Sequence, residues 1–111
     1  MNKARPTVLV IDDRRELCEK LTAHLTVDGL GVAVAANGHD ARLYLRAGLH
    51  VCAMVVNLTA PPGWAFLAQR HGDGEWRKRE VFVISGVSDE DIKLLVSAIR
   101  AHRSTDSPPA A

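Results

Sequence analysis

Four polar residues, Asp12, Asp13, Asn57 and Ser85, each come at the end of an apolar run that is typical of a buried strand. The carboxyl ends of parallel strands meet along one edge of a sheet, and open α/β sheets place their chemistry outside that edge. The amide of Asn57 restricts this chemistry. It has no anionic oxygen to act as a nucleophile, and it is a poorer ligand for a hard cation than a carboxylate.

Strand-like and helix-like segments alternate along the chain. Continuously apolar runs predict four short strands, at 7–11, 32–36, 51–56 and 81–84. Apolar residues at helical spacing predict helices at 14–27, at 39–47, at about 64–70 and beyond a cap at Ser88 or Asp89. This order predicts an α/β fold with a parallel sheet, right-handed crossovers and helices on both faces.

The length and the tail predict one domain. A chain of 111 residues is long enough for a single core and too short for two. We place this domain at residues 1–102. The remainder, 103–111, is polar and proline-bearing and has no core-forming residues, so we predict a disordered C-terminal tail.

Composition argues against several kinds of partner. The net charge is +1, and the basic run 77–79 is flanked by Glu75 and Glu80, which predicts a solvated connector and no nucleic-acid surface. The longest apolar run, 51–56, is far too short to cross a membrane. The two cysteines, Cys18 and Cys52, lie within apolar patterns and predict reduced thiols and a cytoplasmic location.

Several short motifs resemble one family. They are VLVIDD at 8–13, the AANGHDA turn, VVNL followed by Pro61, and VFVISG at 81–86. The chain resembles a response-regulator receiver domain, the flavodoxin-like phospho-switch of two-component signalling, over residues 7–86. The intervals from Asp13 to Asn57 and from Asn57 to Ser85 also fit the family. The resemblance implies a three-layer sandwich with a parallel sheet of order 2-1-3-4.

The resemblance also implies roles for the strand-end residues. In the family an acidic pair holds Mg²⁺, an aspartate after strand 3 accepts the phosphoryl group, and a hydroxyl after strand 4 hydrogen-bonds it. Asp12 and Asp13 match the metal positions and Ser85 the hydroxyl, but Asn57 stands at the acceptor position. No lysine follows Lys93, so the fifth strand and its lysine are predicted to be missing. Any Mg²⁺ site at Asp12 and Asp13 is therefore expected to be weak.

Each of these residues also has a simpler structural interpretation. Asp12 and Asp13 could cap the following helix, whose N-terminus favours negative charge. Asn57 could bond neighbouring backbone, and Ser85 could be a turn residue. Trp64, beside two prolines, could pack over the vacant pocket or serve as an exposed contact.

The functional prediction is a phosphorylation-independent pseudo-receiver. It is a protein-interaction module of bacterial-type signalling, with no enzymatic activity and no required cofactor. Without a fifth strand, the fourth strand would be an open sheet edge at Val81, Phe82 and Val83, which favours a homodimer or partner complex through that edge or the last helix. The last helix could pack on its own sheet or exchange with a second copy.

Other functions remain open. A phospho-receiver could use a nearby hydroxyl such as Thr59, or the residual pocket could sense a small ligand. An enzyme is disfavoured because no nucleophile and base pair is apparent at the strand ends.

Overall fold

A computed structural model of the chain describes residues 6–59, 61–72, 74 and 80–106. The strands are β1 (Thr7–Ile11), β2 (Gly31–Ala35), β3 (Val51–Asn57) and β4 (Val81–Ile84). The helices are α1 (Glu16–Leu25), α2 (Gly38–Arg46), α3 (Pro61–His71) and α4 (Asp89–Asp106), and a 3-10 turn (Thr26–Asp28) follows α1.

The four strands form one parallel sheet of order β2-β1-β3-β4. This confirms the predicted fold class and strand order. The two most apolar strands, β1 and β3, are central, whereas β2 and β4 lie at the edges. Within the described ranges no further strand pairs with β4, so its outer edge is open.

Helices cover both faces of the sheet because β1 alternates its side chains between two cores. Val8 and Val10 point into a cluster with apolar residues of α1 and α4. Leu9 and Ile11 point into a second cluster that includes Ala41 of α2 and Phe66 of α3. All five residues of β1, Thr7–Ile11, are buried, and the result is the predicted three-layer sandwich.

The last helix packs on its own sheet, beside α1. Its N-terminus is capped by Ser88, whose Oγ accepts a hydrogen bond from Asp91 N at 3.2 Å. Lys20 Nζ of α1 donates to Val87 O at 2.5 Å, just before the helix. Towards its other end, Arg100 Nε donates to Asp28 Oδ2 at 2.7 Å. These polar contacts border the apolar packing between α4 and α1, which buries the α4 side chains on this face of the sheet.

Three of the differences between the observed and the predicted helix boundaries have a local cause. The first helix is shorter than 14–27, because its last turn tightens into the 3-10 turn and Gly29 then adopts φ +76°. The third helix begins at Pro61 instead of Trp64. Proline is tolerated in a first helical turn, where its missing N–H would have no intrahelical partner.

The last helix extends to Asp106, so residues 103–106 belong to it and not to the predicted disordered tail. These residues contain no glycine or proline, and the first helix-breaking residue is Pro108. The rest of the predicted tail, 107–111, lies outside the described residues. No helix in the described part of the chain combines the length and the apolar character needed to cross a bilayer.

Candidate functional site

Asn57 is the most buried polar residue of the strand-end site, with no exposed surface. Its Oδ1 accepts a hydrogen bond from Thr59 N at 3.0 Å, and its Nδ2 donates to Asp12 Oδ2 at 2.9 Å. A backbone N–H can only donate, so the oxygen of the amide must face Thr59 and the nitrogen must face Asp12. Asn57 therefore directs a hydrogen-bond donor at Asp12, where the family's aspartate would direct an oxygen.

Arg14 supplies a positive charge to the acidic pair. Its backbone N–H donates to Asp12 Oδ1 at 3.1 Å. Its Nε lies 3.7 Å from Asp12 Oδ1 and 3.9 Å from Asp13 Oδ1. Asp12 is buried and Asp13 is half exposed, so the guanidinium partly neutralises a carboxylate that has little access to solvent.

Thr59 joins Arg14 to Asn57. Arg14 Nη2 donates to Thr59 Oγ1 at 3.2 Å, and Thr59 Oγ1 donates to Asn57 Oδ1 at 2.8 Å. Together with the hydrogen bond between Asn57 and Asp12 and the ion pair between Arg14 and Asp12, these bonds form a closed circuit of four side chains. We call the set Asp12, Arg14, Asn57 and Thr59 the closed network.

The segment after β3 folds tightly over Asn57. A Cβ placed on Gly63 would lie 2.3 Å from Asn57 O, so only glycine allows the first turn of α3 to approach the strand this closely. Trp64 Nε1 donates to Leu58 O, which attaches the indole to the same segment. Trp64 is two-thirds exposed, so most of its surface remains open to solvent.

The residues at this strand end fit Mg²⁺ poorly. Magnesium requires several oxygen ligands in octahedral geometry. Asn57 turns its nitrogen towards Asp12, and the guanidinium of Arg14 lies within ion-pair distance of both candidate ligands, Asp12 and Asp13. In the described part of the chain, no three His, Cys, Asp or Glu residues are grouped closely enough to hold a metal ion.

Ser85 reaches the same edge of the sheet but does not join the closed network. It follows Ile84, whose carbonyl accepts a hydrogen bond from Leu58 N at 2.8 Å. Ser85 is exposed, and within the described ranges no hydrogen bond links it to Asn57 or Asp12. It lines a groove between β4 and α4 instead.

This groove adjoins the predicted interaction surface. It has a volume of about 290 Å³ and is lined mainly by apolar residues: Phe82, Val83, Ile84, Leu94, Leu95 and Ala98, together with Ser85 and Asp91. Val83 is half exposed and Leu94 is 71% exposed. Val81 and Phe82 are partly buried against the two opposite cores. Trp64 does not line this groove.

Sequence reasoning identified three members of the strand-end site and missed the contribution of Arg14. Asp12, Asp13 and Asn57 lie together as predicted, and Thr59 entered only as an alternative acceptor. The sequence feature that could have predicted the role of Arg14 is its position directly after the acidic pair, in a chain whose acceptor position lacks a negative charge. An unpaired buried carboxylate requires a nearby cation or donor.

Similar folds occur among solved structures. A response regulator receiver protein from Pseudomonas putida is 28% identical, with a TM-score of 0.61, and the match covers 88% of this chain and 82% of that one. A sensor protein from Polaromonas sp. JS666 is 18% identical, with a TM-score of 0.70, over 93% and 99% of the two chains. The receiver domain of the Francisella response regulator 1452 is 17% identical, with a TM-score of 0.67, over 92% and 99%.

No protein-family model matches the chain, and no curated protein is similar to it. The structural neighbours nevertheless confirm the resemblance seen in the sequence. The parallel sheet of order 2-1-3-4 and its flanking helices are the fold of a response-regulator receiver domain. This fold implies two-component signalling, in which receiver domains interact with other proteins.

Proposed function

We propose that this protein is a phosphorylation-independent receiver domain that acts as a protein-interaction module in bacterial-type signalling. The closed network is the observation that carries the proposal. Asn57 cannot accept a phosphoryl group through an anionic oxygen, it is fully buried, and both ends of its amide are hydrogen-bonded. Asn57 therefore offers neither the anionic oxygen nor the access to solvent that a phosphoryl acceptor at this position requires.

The same observation supports a function without a cofactor and without catalysis. Arg14 places a cation within ion-pair distance of Asp12 and Asp13, where the family would bind Mg²⁺. Because the charge of Arg14 balances the buried carboxylate of Asp12, Asp12 needs no bound metal ion for this purpose. We therefore assign these residues a structural role and propose that the protein is not an enzyme.

The interaction surface of the proposal is the open edge of β4 together with α4. Unpaired strand edges bind other strands through main-chain hydrogen bonds, and apolar pockets beside them add specificity. Val83 and Leu94 expose apolar surface at this edge. The proposed partners are a second copy or another cytoplasmic signalling protein; the low net charge of +1 does not favour nucleic acid or a membrane.

The direct test is the intact mass of the protein after incubation with Mg²⁺ and a small acyl-phosphate donor. We expect no adduct on the native chain. Asn57→Asp restores an anionic oxygen and serves as the positive comparison, and Asn57→Ala serves as the control that removes the amide without adding a charge. A phosphoryl adduct on the native chain would contradict the proposal.

Thr59 is the residue to examine if such an adduct appears. It is exposed, and its Oγ1 lies 3.2 Å from Arg14 Nη2, so it is the hydroxyl of the network that a donor could reach. Thr59→Val removes this hydroxyl with little change in size. Loss of the adduct in Thr59→Val would identify a phospho-receiver with a displaced acceptor. Stabilisation of the native chain by a small phosphate ester, without an adduct, would instead favour a ligand sensor.

A further inference from the structure

The open edge of β4 presents the backbone groups of two residues. The carbonyl of Ile84 faces β3, because it accepts a hydrogen bond from Leu58 N at 2.8 Å. Alternate residues of a strand direct their N–H and C=O groups to opposite sides. Val81 and Val83 therefore direct these groups away from β3, and within the described ranges no strand pairs with them.

The other edge of the sheet, on β2, is partly capped by a side chain. Asp12 N donates to Ala35 O at 3.1 Å, so Ala35 faces β1 and Val34 faces the outer edge. The hydroxyl of Tyr44 donates to Val34 O at 3.0 Å and occupies this acceptor. Among the described residues, no side chain caps the open-edge groups of β4 in this way. A further strand can therefore add more readily to β4 than to β2.

The groove beside this edge matches the repeat of an extended chain. Leu94 and Ala98 of α4 line it together with Val83, and Leu94 is 71% exposed. Residues four apart on a helix are separated by about 6 Å along its axis. Alternate residues of a strand point to one face and are separated by about 6.5 Å. A strand added to β4 could therefore place two alternate side chains against Leu94 and Ala98.

Asp91 is the charged residue among the described residues that line the groove. A Cβ on Gly86 would lie 3.0 Å from Asp91 Oδ2, so the carboxylate lies over the segment that follows β4. Asp91 is partly buried, and no cation of the described ranges forms an ion pair with it, whereas Asp89 lies 3.9 Å from Lys20 Nζ. An occupant of the groove would bury this carboxylate further, and a buried carboxylate requires a nearby cation or donor. Charge complementarity therefore requires an occupant with a positive charge at this end of the groove.

We infer that β4 binds an extended segment of another protein as an added strand, with apolar side chains at two alternate positions and a lysine or arginine at the next, where it pairs with Asp91. The inference rests on the proposed function as an interaction module and names the chemistry of its partner. Main-chain hydrogen bonds to Val81 and Val83 give affinity, and the groove selects the side chains. A second copy of β4 does not match this description, because the strand Val81–Ile84 contains no basic residue.

The probe is a capped synthetic peptide, acetyl-Lys-Thr-Val-Thr-Val-Thr-Lys-amide. Its sequence reads the same in both directions, so a lysine reaches Asp91 whether the added strand is parallel or antiparallel to β4. A second peptide, with glutamate in place of both lysines, is the comparison. The Kd of each peptide is measured by titration of the isotope-labelled chain, and amide hydrogen exchange locates the binding site. We expect the lysine peptide to bind about tenfold or more tightly than the glutamate peptide, and to slow exchange at Val81 and Val83 but not at Val34.

Two matched variants test the charge of the groove. Asp91→Asn and Glu90→Gln each remove one negative charge from the first turn of α4, but Glu90 is exposed and does not line the groove. We expect Asp91→Asn to reduce the preference for the lysine peptide to about twofold or less, and Glu90→Gln to retain most of it. Equal binding of the two peptides to the native chain, or a preference that survives in Asp91→Asn, would overturn the inference.

Two further results would also overturn the inference. One is slowed exchange at Val34 instead of Val81 and Val83, which would place the peptide on β2. The other is a native dimer, measured by sedimentation equilibrium, whose Val81 and Val83 amides are protected without peptide, since a second copy then occupies the edge. A chain that binds neither peptide and takes no phosphoryl adduct loses this partner and keeps the proposed phosphorylation-independent function. A chain that binds the lysine peptide and takes an adduct keeps the partner and loses that function.

Discussion

The amide nitrogen of Asn57 donates to Asp12 Oδ2 at 2.9 Å, between two residues that have almost no exposed surface. In this position a hydrogen bond replaces what would be repulsion between two carboxylates. The contact explains how the chain accommodates a buried Asp12 beside Asn57. It also makes Asn57 a structural residue, which leads to specific expectations for substitution.

Asn57→Ala should lower the free energy of unfolding by about 1–3 kcal/mol, because it removes the hydrogen bonds that Asn57 makes to Asp12 Oδ2 and to the backbone N–H of Thr59. Asn57→Asp should cost more than Asn57→Ala, because it places a second carboxylate against Asp12. Urea unfolding curves with a common slope check both values. An Asn57→Asp chain as stable as the native one would contradict the role of this hydrogen bond.

Arg14 should weaken any Mg²⁺ binding that the substitution Asn57→Asp restores. In the Asn57→Asp background, adding Arg14→Ala removes the cation beside Asp12 and Asp13. We expect Mg²⁺ to raise the Tm of this double variant more than that of Asn57→Asp alone, since bound ligand stabilises the folded state. Arg15→Ala in the same background is the control, because Arg15 is exposed and has no contact with the network among the described residues. An equal response of the two double variants would argue against an internal cation.

Gly63→Ala should be strongly destabilising. Its Cβ would lie 2.3 Å from Asn57 O, a backbone atom that cannot move without displacing β3 or α3. We expect a loss of about 1–3 kcal/mol or more, as for other overpacked sites. Gly72→Ala is the control, since a Cβ there meets nothing within 4 Å and should change stability little. Thermal unfolding of the two variants provides the comparison.

The ion pair between Arg100 and Asp28 should contribute little despite its 2.7 Å separation. Its side chains are 51% and 32% exposed, so solvent screens the pair. A double-mutant cycle with Arg100→Gln and Asp28→Asn should give a coupling of about 0.2–1 kcal/mol that decreases in high salt. A coupling that is large and insensitive to salt would indicate that this pair determines the position of α4.

Much of the fold was predictable because it depends on local patterns. Strand β1 is apolar at every position, and a strand covered on both faces requires this. The order of elements then leaves few topologies, which is why Asp12, Asn57 and Ser85 could be assigned to one edge of the sheet. The start of α3 was less clear, since two prolines indicate a turn as readily as a first helical turn.

The arrangement of the closed network could not be predicted in the same way. Whether Arg14 turns towards solvent or towards Asp12 depends on a side chain 45 positions away, the hydroxyl of Thr59. The close approach of Gly63 to Asn57 likewise depends on how α3 packs against β3. Such contacts join residues distant in sequence, and no periodic pattern records them.

The closed network has a consequence for how information would pass through this protein. A phospho-switch reports an upstream event by changing the state of each molecule. Under the proposed function, a strand end whose charges and amide groups are already satisfied from within has no phosphorylated state to populate. The amount of complex that such a domain forms then depends on how many copies the cell makes and on how many partners compete for them. The activity of the domain would then be controlled by its synthesis and degradation, and its cellular concentration would be the signal.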